Sequence, residues 1–148
     1  MNIDMIRAAA RRLEGHVRRT PLLNSPFLDD IAGRRVWVKP ECLQHTGSFK
    51  FRGGWSAVSA LEPSVRAKGV IAFSSGNHAQ GVAFMCSHFG VKGVIFMPVT
   101  TPQQKIQKTK MFGGLQVEVR LIGDYFDKTL AAAQQYCVEE GAHFLSPF

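Results

Sequence analysis

The sequence predicts an α/β protein with a parallel sheet and flanking helices, and features of its second half carry that prediction. Short apolar runs of the kind that form buried strands recur at residues 70–73 (Val-Ile-Ala-Phe) and 94–97 (Val-Ile-Phe-Met). Each is followed by a longer segment of helical character. The first three expected strands begin about 23 residues apart, the size of one βα unit. Strands that alternate with helices pair in parallel through right-handed crossovers.

Taken in order, the chain opens with a helix expected over residues 4–16. Its apolar stripe (Ile3, Ile6, Ala10, Leu13, Val17) should pack on something, with Arg7 and Arg11 on the opposite, solvated face. Thr20-Pro21 ends it, Leu22-Leu23 begins an extended stretch, and residues 35–39 (Arg-Val-Trp-Val-Lys) alternate as a short strand closed by Pro40. A helix then starts at Lys50, with Ser48 as its expected cap and Phe51, Trp55 and Val58 at helical spacing, and stops near Pro63. After residues 70–73, the turn Ser74-Ser75-Gly76-Asn77 leads into a helix to about Phe89. Thr101-Pro102-Gln103-Gln104 has capping-box form with proline at the first helical position, and that helix ends at Gly113-Gly114. Residues 116–121 alternate as a strand, residues 124–140 form a helix stopped by Gly141, and His143-Phe144-Leu145 begin a fourth strand. Residues 69–148 thus read as a nearly self-contained α/β unit. Residues 1–68 hold two expected helices and two short strands, too little sheet to cover their own apolar faces.

A chain of 148 residues can bury a real core, and at 45% hydrophobic and 20% charged it reads as soluble and globular. No stretch approaches the length of a membrane span, and the first residues carry charges too early for a signal peptide. Cys42, Cys86 and Cys137 are far apart and lack metal-ligand spacing, which reads as reduced thiols in a cytoplasmic protein. The five histidines show no paired spacing with each other or with carboxylates, so no metal site is expected. The net charge of +7 invites a nucleic-acid partner, but no zinc-finger or RNP-type motif accompanies it. Nucleic acid is therefore disfavoured, and an anionic small molecule fits.

Two stretches carry chemistry. In Thr46-Gly47-Ser48-Phe49-Lys50-Phe51-Arg52-Gly53 a lysine stands where a helix begins. The positive end of the helix dipole favours its neutral amine, the form a carbonyl cofactor needs to make a Schiff base. The plainer alternative is a surface lysine that tolerates its position. In Ser74-Ser75-Gly76-Asn77-His78-Ala79-Gln80-Gly81 a turn joins a strand to a helix, the place where open α/β sheets bind ligands. Backbone N–H groups and the dipole there favour an anion such as a carboxylate. The alternative is a capped helix start with a surface histidine. A serine-hydrolase reading is weak, because the sequence is not Gly-x-Ser-x-Gly.

Together, in this order and spacing, the two motifs resemble the serine/threonine dehydratase family, which uses pyridoxal phosphate and has the tryptophan-synthase-β type of fold. The resemblance runs from the N-terminal helix to the last residue. It implies that Lys50 is the Schiff-base lysine and the base at Cα, that Phe49 packs on the pyridine ring, and that Asn77 reaches the ring hydroxyl. It implies that Ser74, Ser75, Gly76, Asn77 and His78 bind the substrate carboxylate. Related racemases use a serine at the position of Ser75 as a second acid/base. Arg52 falls in the motif without an assigned role beyond a structural ion pair.

By the same resemblance, residues 1–68 begin a large domain that is incomplete here, and residues 69–148 are a whole small domain. Gly54 stands where relatives commonly have alanine, and Cys42 where many have asparagine. The family's glycine-rich phosphate loop, and the serine or threonine on the pyridine nitrogen, are expected beyond residue 148. The implied activity is dehydration and deamination of serine, threonine or a related β-hydroxy amino acid by a homo-oligomeric enzyme of which this is the N-terminal half. The alternatives are a non-catalytic truncated chain that self-associates through exposed apolar surface, or a racemase or β-replacement synthase of the same fold.

Overall fold

The computed structural model describes residues 2–147. Its centre is a four-stranded parallel sheet of β3 (Val70–Phe73), β4 (Gly93–Met97), β5 (Val117–Leu121) and β6 (His143–Leu145). Ahead of it lie β1 (Leu23–Asn24) and β2 (Trp37–Val38), a separate antiparallel pair. The spatial order of the large sheet is β5-β4-β3-β6. The chain therefore steps outward from β3 through β4 to β5, then returns to place β6 on the free side of β3.

The two sheet faces have different covers. Val70, Ala72, Ile95 and Met97 face α3 (Lys50–Ser59), α5 (Asn77–Phe89) and α6 (Gln103–Gly113). Ile71, Phe73, Val94 and Phe96 face α7 (Phe126–Glu140), whose Ala133 is fully buried. Covering both faces explains why β3 and β4 read as continuous apolar runs, whereas the edge strand β5 alternates. Helix α5 is buried over most of its surface, and glycines in the left-handed conformation close it at Gly90 (φ 63°) and α7 at Gly141 (φ 61°).

The observed elements differ from the expected pattern in several places, most of them before α3. Helix α1 spans Ile3–Leu13, shorter than expected because Gly15 turns the chain (φ 75°). Its stripe is only partly covered: Leu13 and Val17 pack on the core, while Ile3 and Ile6 remain 56% and 52% exposed. Two short helices, α2 (Pro26–Ala32) and α4 (Pro63–Arg66), were not expected. Proline at the first turn and, for α2, Gly33 at φ 63° were the available signals. Ser48 does not cap α3: Phe49 occupies the cap position, and the buried Ser48 hydroxyl has no hydrogen-bond partner among the described residues. Thr101 likewise does not cap α6, because Pro102 takes the cap position and the helix starts one residue later.

Helix α3 ties the two segments together. Phe51, Trp55 and Val58 share a core with β3 and α5 across the turn at residues 68–69. At Gly81 the α5 backbone approaches α3 so closely that a Cβ would lie 3.4 Å from the Lys50 carbonyl oxygen. The second motif therefore holds the first in place through a glycine contact. No helix of the described residues is long and apolar enough to cross a membrane, and they contain no group of three or more His, Cys, Asp or Glu able to hold a metal ion.

Candidate active site

The sheet order creates a crevice. Helix α5 leaves β3 over one face and α7 reaches β6 over the other, so the carboxyl ends of β3 and β6 part at a topological switch point. A cleft of about 280 Å³ opens there, lined by Phe49, Lys50, Phe73, Ser74, Ser75, Asn77, His78, Phe126 and Pro147. The expected residues Phe49, Lys50, Ser74, Ser75, Asn77 and His78 thus share one wall system. Gly76 does not contribute to the lining; it is the cap residue from which α5 departs.

Lys50 is the first residue of α3, half-buried, and its Nζ donates to the Pro147 carbonyl at 2.5 Å. Phe49 beside it is 59% exposed, with the Lys50 nitrogen 5.5 Å from its ring centre. Across the cleft, the Gly76 N–H donates to the Ser74 hydroxyl oxygen (3.1 Å), folding the turn that aims the α5 N-terminus into the opening. Among the described residues no side chain caps α5, so the first-turn N–H groups are open to an anion.

His78 is buried, and its Nε2 lies 3.1 Å from the Leu145 carbonyl oxygen. A carbonyl can only accept, so Nε2 carries the proton and donates. Burial pushes the imidazole pKa down; the Leu145 bond opposes this and the Lys50 charge adds to it. A neutral His78 thus ties the α5 start to the end of β6.

Sequence reasoning missed Glu41, Phe73, Phe126 and Pro147. Glu41 is the partner of Arg52, whose Nε and Nη2 donate to the two carboxylate oxygens at 2.8 Å each, and the Thr20 hydroxyl donates to the same carboxylate. Hydrogen bonding to Arg52 above all holds the Glu41 pKa down at about 2, against the cost of burial. Arg52 therefore forms a structural ion pair two residues from Lys50. Phe73 could have been found as the last residue of a buried strand. Phe126 and Pro147 could not, because only the return of β6 beside β3 brings them to the cleft.

A larger cavity of about 520 Å³ lies under the end of α1, walled by Leu13, Val17, Arg19, Lys39 and Arg52 among others. It contains none of the cleft residues, and its Arg52 and Lys39 are engaged with Glu41 and Thr20. The groups suited to carbonyl chemistry all belong to the smaller cleft.

Comparison with known proteins identifies the family. The profile of the family described as pyridoxal-phosphate dependent enzyme matches residues 13–148. A biosynthetic L-threonine dehydratase of Lactococcus lactis is 43% identical over 136 residues, covering 92% of this chain and 33% of the relative. The processed form of threonine deaminase isoform 2 from Solanum lycopersicum superposes with a TM-score of 0.85 at 33% identity, over 100% of this chain and 41% of its own. Maize serine racemase superposes with a TM-score of 0.91 at 32% identity, over 99% of this chain and 44% of its own. The chain spans about a third of the length of the curated relative and under half of the two solved chains.

Proposed function

Because the chain belongs to the family of pyridoxal-phosphate-dependent enzymes, we propose that it forms the N-terminal part of an ammonia-lyase. The substrate is threonine, serine or a related β-hydroxy amino acid, and the products are a 2-oxo acid and ammonia. One observation carries this reading: the Lys50 amine, the exposed Phe49 ring and the open α5 N-terminus line a single cleft at the switch point of the sheet. The dehydratase and deaminase relatives support it.

The residues fit the cofactor. A primary amine, a flat aromatic face and an uncapped helix start are the groups a carbonyl-bearing pyridine and an α-carboxylate require. When bound, pyridoxal phosphate supplies an electron sink that makes the substrate's Cα proton removable. The chain's own residues do the rest. Lys50 leaves the Pro147 carbonyl and takes the Cα proton at Nζ. Phe49 supplies the apolar face for the ring. Asn77 would hold the ring hydroxyl, and the α5 N–H groups with the Ser74 to His78 turn would orient the substrate carboxylate. His78, held neutral, keeps that turn docked on β6.

Residues 1–68 would begin the large domain and residues 69–148 form the small one. No Gly-Gly-Gly run occurs in the sequence, so we assign the phosphate grip and the partner of the pyridine nitrogen to residues outside these 148. A homo-oligomer fits the exposed Phe27, Ile31 and Trp37, and we place it in the cytoplasm on the reading of Cys42, Cys86 and Cys137 as reduced thiols. A racemase is the second reading, favoured by Ser75, whose side chain lines the same cleft as Lys50.

The test is to incubate the protein whose N-terminal part these residues form, large domain completed, with pyridoxal phosphate and L-threonine or L-serine and to assay 2-oxo acid and product chirality. The expected result is 2-oxo acid formation that Lys50→Ala abolishes. Racemised amino acid without 2-oxo acid would transfer the assignment to the second reading. Neither product would refute the activity.

A further inference from the structure

One side of the cleft is aromatic, and the groups assigned above do not use it. Phe73, the last residue of β3, is 3% exposed and fixed by the sheet. Phe126, the first residue of α7, stands edge-to-face on it, with ring centroids 4.5 Å apart at 87°. Phe126 is itself 48% exposed, so much of its ring surface faces the cleft and solvent rather than the core.

The backbone that delivers Phe126 is locked. The Ile122 N–H donates to the Met97 carbonyl at 3.0 Å, and the Val99 N–H to the Gly123 carbonyl at 2.8 Å. The Thr129 hydroxyl bonds the Ile122 and Tyr125 carbonyls at 2.7 and 3.0 Å. Gly123 turns with φ +77°, and a Cβ there would lie 3.0 Å from the Thr129 nitrogen. The ring therefore stands on a fixed turn, not on a loose loop.

Charge narrows what the wall can meet. Among the described residues, the ionisable side chains lining the cleft are Lys50 and His78. Lys50 has its own task, and His78 is held neutral and spends its Nε2 proton on Leu145. A carboxylate on a substrate side chain would find no free cation here, whereas a methyl group would find an aromatic face.

We propose that Phe126, held by Phe73, selects the substrate's β-substituent, preferring a β-methyl over a hydrogen and giving no affinity to a β-carboxylate. The inference rests on the reading of the cleft as an amino-acid site. One methyl against a half-exposed ring supports a preference of roughly 4- to 10-fold.

The experiment measures calorimetric Kd values of the pyridoxal-phosphate-loaded chain for three amino acids unable to lose a β-hydroxyl: 2-aminobutyrate, alanine and aspartate. The wild type should bind 2-aminobutyrate roughly 4- to 10-fold tighter than alanine, with aspartate no tighter than alanine. Phe126→Ala should bring the 2-aminobutyrate/alanine ratio close to one, and Phe126→Leu, which keeps an apolar side chain, should retain part of it. An unchanged ratio in Phe126→Ala, or an aspartate affinity above that of alanine, would overturn the inference and leave the amino-acid site standing. Failure of all three to bind the wild type would overturn the amino-acid reading and this inference with it.

Discussion

The strands Val70–Phe73 and Gly93–Met97 are buried at every position, whereas Leu23–Asn24 and Trp37–Val38 are exposed at every position. The first pair is held by side chains packed on both faces of a sheet. Ahead of α3 the N-terminal segment packs Leu13 and Val17 on the core and is otherwise pinned by point contacts: the Glu41–Arg52 pair, Gln44 bonded to the Arg18 backbone through both ends of its amide, and the Trp55 indole bonded to the Arg12 carbonyl. The cleft lies at the junction, with Lys50 delivered where the pinned segment enters α3 and Ser74 to His78 from the packed sheet. Its geometry therefore depends on two kinds of stabilisation that fail under different conditions.

Substitutions should separate the two. Ile95→Ala, which empties a fully buried site in β4, should cost about 3 kcal/mol in denaturant unfolding, from lost burial and the cavity left behind. Gly81→Val should cost about 2 kcal/mol, because its side chain meets the Lys50 carbonyl, 3.4 Å from where a Cβ would begin. It should also weaken any property that needs Lys50 in place, which Ile95→Ala should change much less. Glu41→Gln should cost about 2 kcal/mol by removing a bidentate charge-assisted pair.

The same carboxylate gives a pH dependence with a definite sign. Its pKa in the fold is about 2 against an ordinary 4.5, so its contribution is present above pH 4.5 and is lost as pH falls toward 2. Urea midpoints measured across that interval should decline less in Glu41→Gln than in the wild type. His78 acts at higher pH: its pKa is lowered from 6.5, so stability is full above that value and falls below it as the unfolded chain takes up the proton. The smallest effect belongs to the exposed strand pair, where Leu23→Ala should change stability by less than about 0.5 kcal/mol. A loss comparable to that of Ile95→Ala would show that the N-terminal segment is packed after all, and would break the comparison.

What was legible in the sequence follows the same division. The βα units of residues 70–145 were readable because strands buried on both faces and glycine-stopped helices leave strong local patterns. The N-terminal segment was read less well, since two-residue strands and point contacts leave little periodicity. Ser48 looked like a cap because serine precedes a helical apolar pattern, yet the chain continues in helical geometry through Phe49 and buries the hydroxyl instead. The polar half of the cleft was legible because both motifs lie in continuous stretches. Phe126 and Pro147 were not, because they reach it through strand order, a long-range property that no local window records.

The central claim is that the cleft at the β3–β6 switch point takes pyridoxal phosphate through Lys50. It is tested most directly by adding the cofactor to the purified chain and recording visible absorption after gel filtration, with Lys50→Ala as the control. The account predicts a protein-bound visible band in the wild type that is absent in Lys50→Ala. No bound band, or one of equal strength in the variant, would contradict it.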